Sequence, residues 1–169
     1  MEIALFGGSF VPPHVGHLLA AAYVLATEPV EELWFVPVFG QFGERCPVLE
    51  GRVQRVESEL GGEGRTVDLI EHLHRKHPDW KWALVLGSDL AAERPQWKCF
   101  DRIEQLARII PLERAGFPVP GGAGPVVPEV SSTEVRRLLA SGGDASHLVP
   151  QPVLRAIQAA GTYRMTAPP

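Results

Sequence analysis

Short apolar runs recur along the chain and alternate with stretches of helical spacing. The runs predict strands near residues 2–6, 32–38, 53–57, 82–86 and 108–112, with a sixth near 126–130. Helical spacing predicts helices near 15–26, 66–76, 97–106, 132–140 and 152–159. Strands apolar on both sides need cover on both faces, so the order implies an α/β/α sandwich with a mainly parallel sheet. In the first helix Leu18, Leu19, Ala22, Leu25 and Ala26 share one face, which predicts that this face is buried.

A chain of 169 residues is long enough for one domain with a substantial core. The Gly/Pro-rich stretch 116–128 reads as a loop rather than a linker, because too little chain follows it for a second core. Residues 162–169 read as a loose tail, and no internal repeat is found. The net charge of −4 and a pI near 5.9 argue against a broad nucleic-acid surface, so anions would be bound locally. Cys46 and Cys99 form no Cys-x-x-Cys pair, which suggests neither a disulfide framework nor a zinc knuckle. With no signal peptide and no apolar run of membrane-spanning length, a reduced cytoplasm is the expected location.

Three stretches carry candidate chemistry. The first is Gly7-Gly8-Ser9-Phe10-Val11-Pro12-Pro13-His14-Val15-Gly16-His17, between the first strand and the first helix. Glycines would let the backbone turn and approach a ligand, and the helix start offers free N–H groups beside both histidines. Free donors at the positive end of a helix favour phosphate. His-x-x-His alone is more often incidental, and a metal site would need a third ligand. The second stretch is Val130-Ser131-Ser132-Thr133-Glu134-Val135-Arg136. Ser131 with Glu134 is a capping box, common in proteins that bind nothing, but capping gives no reason for Arg136. A guanidinium one turn into such a helix suits the β- and γ-phosphates of a nucleoside triphosphate. The third is the strand end Gly87-Ser88-Asp89, followed by Trp97 and Lys98. Taken alone Trp97 reads as a core aromatic; beside the other two stretches it reads as a platform for a ligand ring.

The first stretch resembles the His-x-Gly-His signature of the nucleotidylyltransferase superfamily, with a lead-in closest to bacterial nicotinate mononucleotide adenylyltransferases. The second resembles that family's Ile-Ser-Ser-Thr-x-Ile-Arg motif, and the third its Gly-x-Asp strand end and downstream Trp. The resemblance runs from Ile3 to about Ala159. It implies a Rossmann-like fold and transfer of AMP from ATP to nicotinate mononucleotide, giving deamido-NAD and pyrophosphate in NAD biosynthesis. It further implies catalytic roles for His14 and His17. ATP and its phosphates would meet Gly7, Gly8, Ser9, Phe10, Gly16, Gly87, Asp89, Ser131, Ser132, Thr133 and Arg136. The acceptor would meet Thr66, Trp97 and Lys98. Mg²⁺ would arrive on the ATP phosphates rather than in a protein cage. Self-association is left open by the residues.

The chain departs from the family pattern at two places. Val11 stands where Asp or Asn is usual. After Pro37, only residues 38–52 stand where members place a basic residue and a full helix, and Gly40, Gly43, Pro47 and Gly51 break any helical period. A lysine near the triphosphate is therefore missing, with Arg45, Arg52 or Arg55 as substitutes or as ordinary surface charge. Two alternatives stand beside the main reading. One is another small-acceptor adenylyltransferase, using nicotinamide mononucleotide or pantetheine phosphate, although pantetheine enzymes usually carry Thr for the first His and Lys for the distal Arg. The other is a catalytically weak nucleotide-binding protein.

Overall fold

The computed structural model describes residues 1–37, 65–88, 97–113 and 130–163. In chain order the elements are β1 (Glu2–Gly8), α1 (Val15–Thr27), β2 (Glu32–Pro37), α2 (Thr66–Lys76), β3 (Lys81–Gly87), α3 (Phe100–Leu106), β4 (Arg108–Leu112), α4 (Ser132–Ala140) and α5 (Gln151–Ala160). The expected strand 53–57, the loop 116–128, residues 126–129 of the sixth strand and the segment 38–52 lie outside the described residues. So do Asp89, Cys46, Arg45, Arg52, Arg55 and residues 164–169.

The four strands form one parallel sheet in the order β2-β1-β3-β4. Side chains alternate between two buried layers, as strand geometry requires. Ile3, Leu5, Trp82, Leu84 and Leu86 face α2 and α3, meeting Ile70, Leu73 and Ile103. Ala4, Ala83 and Val85 face α1, meeting Ala20 and Val24. The chain steps from β1 to β2 in one direction, then returns past β1 to β3 and β4. Right-handed crossovers therefore put α1 on one face and α2 and α3 on the other. The result is the expected three-layer Rossmann-like α/β sandwich.

The buried face of α1 is not the expected one. Gly16, Ala20, Ala21 and Val24 are buried, whereas Leu18, Leu19 and Leu25 are 55%, 49% and 48% exposed, and Ala22 and Ala26 are exposed too. The helix is apolar nearly all round, so its spacing holds no polar counter-face to identify the inside. Small residues win because the sheet offers Ala4 and Ala83, and small side chains facing small ones let the helix lie close.

α3 also starts later than the spacing suggests. Cys99 has φ 56°, a left-handed conformation that cannot sit inside a right-handed helix, so Trp97–Cys99 form a turn before Phe100. α5 stops at Gly161, whose φ of 65° suits glycine at a helix end. The tail begins less loosely than expected, because Tyr163 packs on the small core of Val130, Val135, Ala145, Val149, Val153 and Ile157.

At the amino edge of the sheet Arg108 bridges β1 and the end of α1, donating to Glu2 at 2.9 Å and Glu28 at 2.6 Å. The Glu28 hydrogen bond raises the guanidinium pKa against the opposing effect of burial, and Glu2 adds to it, so the charge is permanent. Its side chain is 41% exposed, which limits its worth. Arg108→Ala is expected to lower unfolding stability by about 0.5–1 kcal/mol, less in 1 M salt. Urea melts at two salt concentrations check this, and a loss independent of salt would contradict it.

Candidate active site

In a parallel sheet every crossover helix begins at the carboxyl edge of the strands and runs back. The loop 9–14, the N-terminus of α2 at Thr66, buried Ser88 after β3 and the turn at Trp97–Cys99 therefore collect at one edge. β1 lies between β2 and β3, and the crossovers leave it in opposite directions, which makes its carboxyl end the switch point where ligands bind in such sheets.

Gly7 and Gly8 are not the turn that the sequence suggested. Both are extended ends of β1, paired with Val36 and Pro37. Their lack of side chains serves space instead of backbone freedom. A Cβ at Gly7 would meet nothing within 4 Å among the described residues, so that face is open. A Cβ at Gly8 would lie 3.1 Å from Phe10 Cζ. The reversal falls on Phe10, with φ 49°, a left-handed conformation that costs a bulky residue on the order of 1–3 kcal/mol. Ser9 is half-buried behind it, and the Val11–Pro12 peptide is cis.

His14 is the N-cap of α1 and is 5% exposed; Gly16 is buried in the first turn, and His17 is half-buried at the third helical position. The two imidazoles stack with centroids 3.7 Å apart and planes at 24°. The His14 backbone N–H donates to His17 Nδ1 at 3.2 Å. A neutral His17 whose Nδ1 accepts must carry its proton on Nε2, so the far side of the ring is a donor.

The distal motif is folded onto this loop. Ser131 caps α4, its Oγ accepting from the Glu134 N–H at 3.1 Å, as the capping reading requires. Ser132 Oγ donates to the Pro12 carbonyl at 3.0 Å, and Arg136 Nη1 donates to the Val11 carbonyl at 2.5 Å. Arg136 Nη2 also donates to Thr133 Oγ1 at 3.1 Å. Residues about 120 positions apart in sequence are thus hydrogen-bonded. A guanidinium has five N–H groups, so anchoring to Val11 is compatible with binding an anion as well.

Thr66 opens α2 half-buried. Trp97 is half-buried, packed edge-on to Phe100 at 6.0 Å and against the core under α2 and α3, so part of the residue stays exposed. Lys98 is exposed beside it, and Gly87 ends β3. Among the described residues no group of three or more His, Cys, Asp or Glu side chains could hold a metal ion. Sequence reasoning did not single out Phe6 or Phe35, which flank Phe10. Their signal was the pairing register of β1 with β2, which sets Phe6 beside Phe35 and is not visible before the strand order is known.

No protein-family model matches the chain. A probable nicotinate-nucleotide adenylyltransferase from Myxococcus xanthus is 42% identical over all of the chain and 98% of its own length. One from Anaeromyxobacter dehalogenans strain 2CP-C is 44% identical over 96% of the chain and 97% of its own length. The Myxococcus alignment spans 186 positions, more than the chain has residues, so that relative carries stretches without a counterpart here. Among solved structures, Plasmodium falciparum nicotinic acid mononucleotide adenylyltransferase superposes with a TM-score of 0.79 in its complex with APC, covering 96% of each chain at 19% identity. Its complex with NaAD gives 0.77 at 18% identity, over 96% of this chain and 97% of that one. The fold is shared with those structures, and by its full-length identity to the bacterial proteins the chain belongs to the nicotinate-nucleotide adenylyltransferase family.

Proposed function

We propose that the chain, as a single nucleotidylyltransferase domain, transfers AMP from ATP to nicotinate mononucleotide, giving deamido-NAD and pyrophosphate. The observation that carries this reading is the docking of the Ser131–Arg136 motif onto the His14/His17 loop at the switch point of the sheet. In the reaction a 5′-phosphate oxygen of the acceptor forms a bond to the α-phosphorus of ATP. The bond from that phosphorus to the β-bridging oxygen breaks, and pyrophosphate leaves with the electron pair. No protein nucleophile is needed, so the protein aligns two anions and neutralises charge. Alignment supplies on the order of 7–11 kcal/mol. His17 Nε2–H is the donor assigned to the α-phosphate oxygens, worth roughly 3–4 kcal/mol in the transition state. His14 orders it and shares that site. Ser9 and the loop N–H groups hold phosphate beside open Gly7, and Arg136 meets the β- and γ-phosphates. Mg²⁺ enters on the triphosphate, held chiefly by substrate oxygens. This reading places the enzyme in the cytoplasm, with NAD precursors rather than nucleic acid or membrane as partners.

The acceptor ring is assigned to Trp97, with backbone N–H groups near Lys98 and Cys99 meeting its carboxylate. An amide presents an NH₂ there and sets one donor against another. kcat/KM is therefore expected to favour nicotinate over nicotinamide mononucleotide by at least roughly tenfold, the worth of one mispaired donor. Trp97→Ala should harm both acceptors while sparing ATP affinity. Pyrophosphate release from ATP, measured with both mononucleotides and with pantetheine phosphate, tests the assignment. Equal or reversed preference rejects the carboxylate site, and an unchanged acceptor KM in Trp97→Ala returns that ring to the core.

A further inference from the structure

Phe10 occupies a backbone position that disfavours it. At φ 49° glycine or asparagine would be far less strained, so the residue is explained by its ring and not by the turn. The ring is 1% exposed and has almost no surface to offer a ligand. It lies under Gly8, where a Cβ would come within 3.1 Å of it. Phe35 meets it edge-on at 5.3 Å and 89°, and Phe6 at 5.7 Å and 89°. His17 meets it as well, centroid to centroid 4.8 Å and at 68°. Phe6 is 6.0 Å from the same imidazole.

We infer that Phe10 is a positioning residue for His17, its ring wedged between Gly8, Phe6 and Phe35 so as to hold the imidazole in the one orientation that presents Nε2–H outward. The hydrogen bond from the His14 N–H to Nδ1 is long, at 3.2 Å, and therefore weak. A half-turn of the ring about Cβ–Cγ exchanges Nδ1 with Cδ2 and Nε2 with Cε1, which removes the donor. Stacking on His14 constrains the ring plane but is nearly indifferent to that half-turn. The edge contact with Phe10 fixes the remaining tilt and blocks the side through which the ring would swing in that half-turn. The inference rests on His17 as the transition-state donor and goes beyond it by assigning the control of that donor to a buried aromatic wedge.

The test is a double-mutant cycle of Phe10→Leu with His17→Ala, measured as kcat and KM for both substrates. Phe10→Leu is expected to lower kcat roughly tenfold, as when the ring spends about nine-tenths of its time misaligned, with each KM changed less than about twofold. In the His17→Ala background the same substitution should change kcat less than about twofold, since no donor is left to misalign. Side-chain ¹⁵N spectra should show His17 Nδ1 unprotonated and hydrogen-bonded in the native protein, and its resonance shifted towards that of an acceptor without a hydrogen bond in Phe10→Leu. Equal losses in both backgrounds, or raised KM values with kcat unchanged, would overturn the inference. If His17→Ala alone retains full kcat, the failure belongs to the donor assignment instead. Should Phe10→Leu not fold, Phe35→Leu decides: the expected result is a smaller kcat loss that vanishes in the His17→Ala background, and a loss that persists there overturns the wedge.

Discussion

His17→Ala is expected to fold normally and to lose a hundredfold or more in kcat. The imidazole is half-buried on α1, packed by rings on one side and open on another, so truncation leaves the core beneath Ala20 and Val24 intact. What it removes is a donor whose direction is already set. The His14 N–H donates to Nδ1, which puts the ring proton of a neutral His17 on Nε2, the donor proposed for the α-phosphate. Loss of one such preorganised donor typically costs 10²–10³ in kcat. Steady-state kinetics with a folding check by circular dichroism read the result. Near-normal kcat in a folded mutant would remove His17 from the chemistry.

Arg136→Ala is expected to weaken use of ATP by roughly ten- to hundredfold in kcat/KM, with a much smaller rise in acceptor KM. A hydrogen bond to a charged group is worth about 1.5–3 kcal/mol, and a triphosphate offers several such acceptors. The native contact with the Val11 carbonyl adds a second consequence. Removing the guanidinium frees the loop that carries His14, so kcat should fall together with ATP affinity. Arg136→Lys should recover only part of the loss, because an ammonium lacks the planar fork that reaches both Val11 and Thr133 and leaves further N–H groups for the proposed phosphate contact. Initial rates over a grid of both substrates separate the effects. Equal KM changes for ATP and acceptor, or full rescue by lysine, would contradict the assignment.

Much of this site is legible in the sequence because its parts are local. A strand over 2–6, a helix starting after His14 and a cap at Ser131 each follow from neighbouring residues; the helix and cap form there, and the strand runs on through Gly8. The bounds of α2, β4 and α4 match their spacing. What sequence could not give was set by contacts at long range. The buried side of α1 depends on Ala4 and Ala83 across the interface, not on the helix's own pattern. The role of Gly8 depends on a ring two residues later that turns back under it. Phe35 joins the site only because β2 pairs with β1 in one register. The bond from Arg136 to Val11 could not be read from either motif, since it exists only once α4 docks.

The most direct measurement of the central claim follows the phosphorus atoms. The protein is given nicotinate mononucleotide and ATP labelled at either the α- or the γ-phosphate, and the products are separated. The expected result is α-label in the dinucleotide and γ-label in pyrophosphate, in equal amounts, with both signals falling a hundredfold or more in His17→Ala. Gamma-label on the acceptor or in orthophosphate, or α-label that never leaves the adenosine nucleotides, would contradict it.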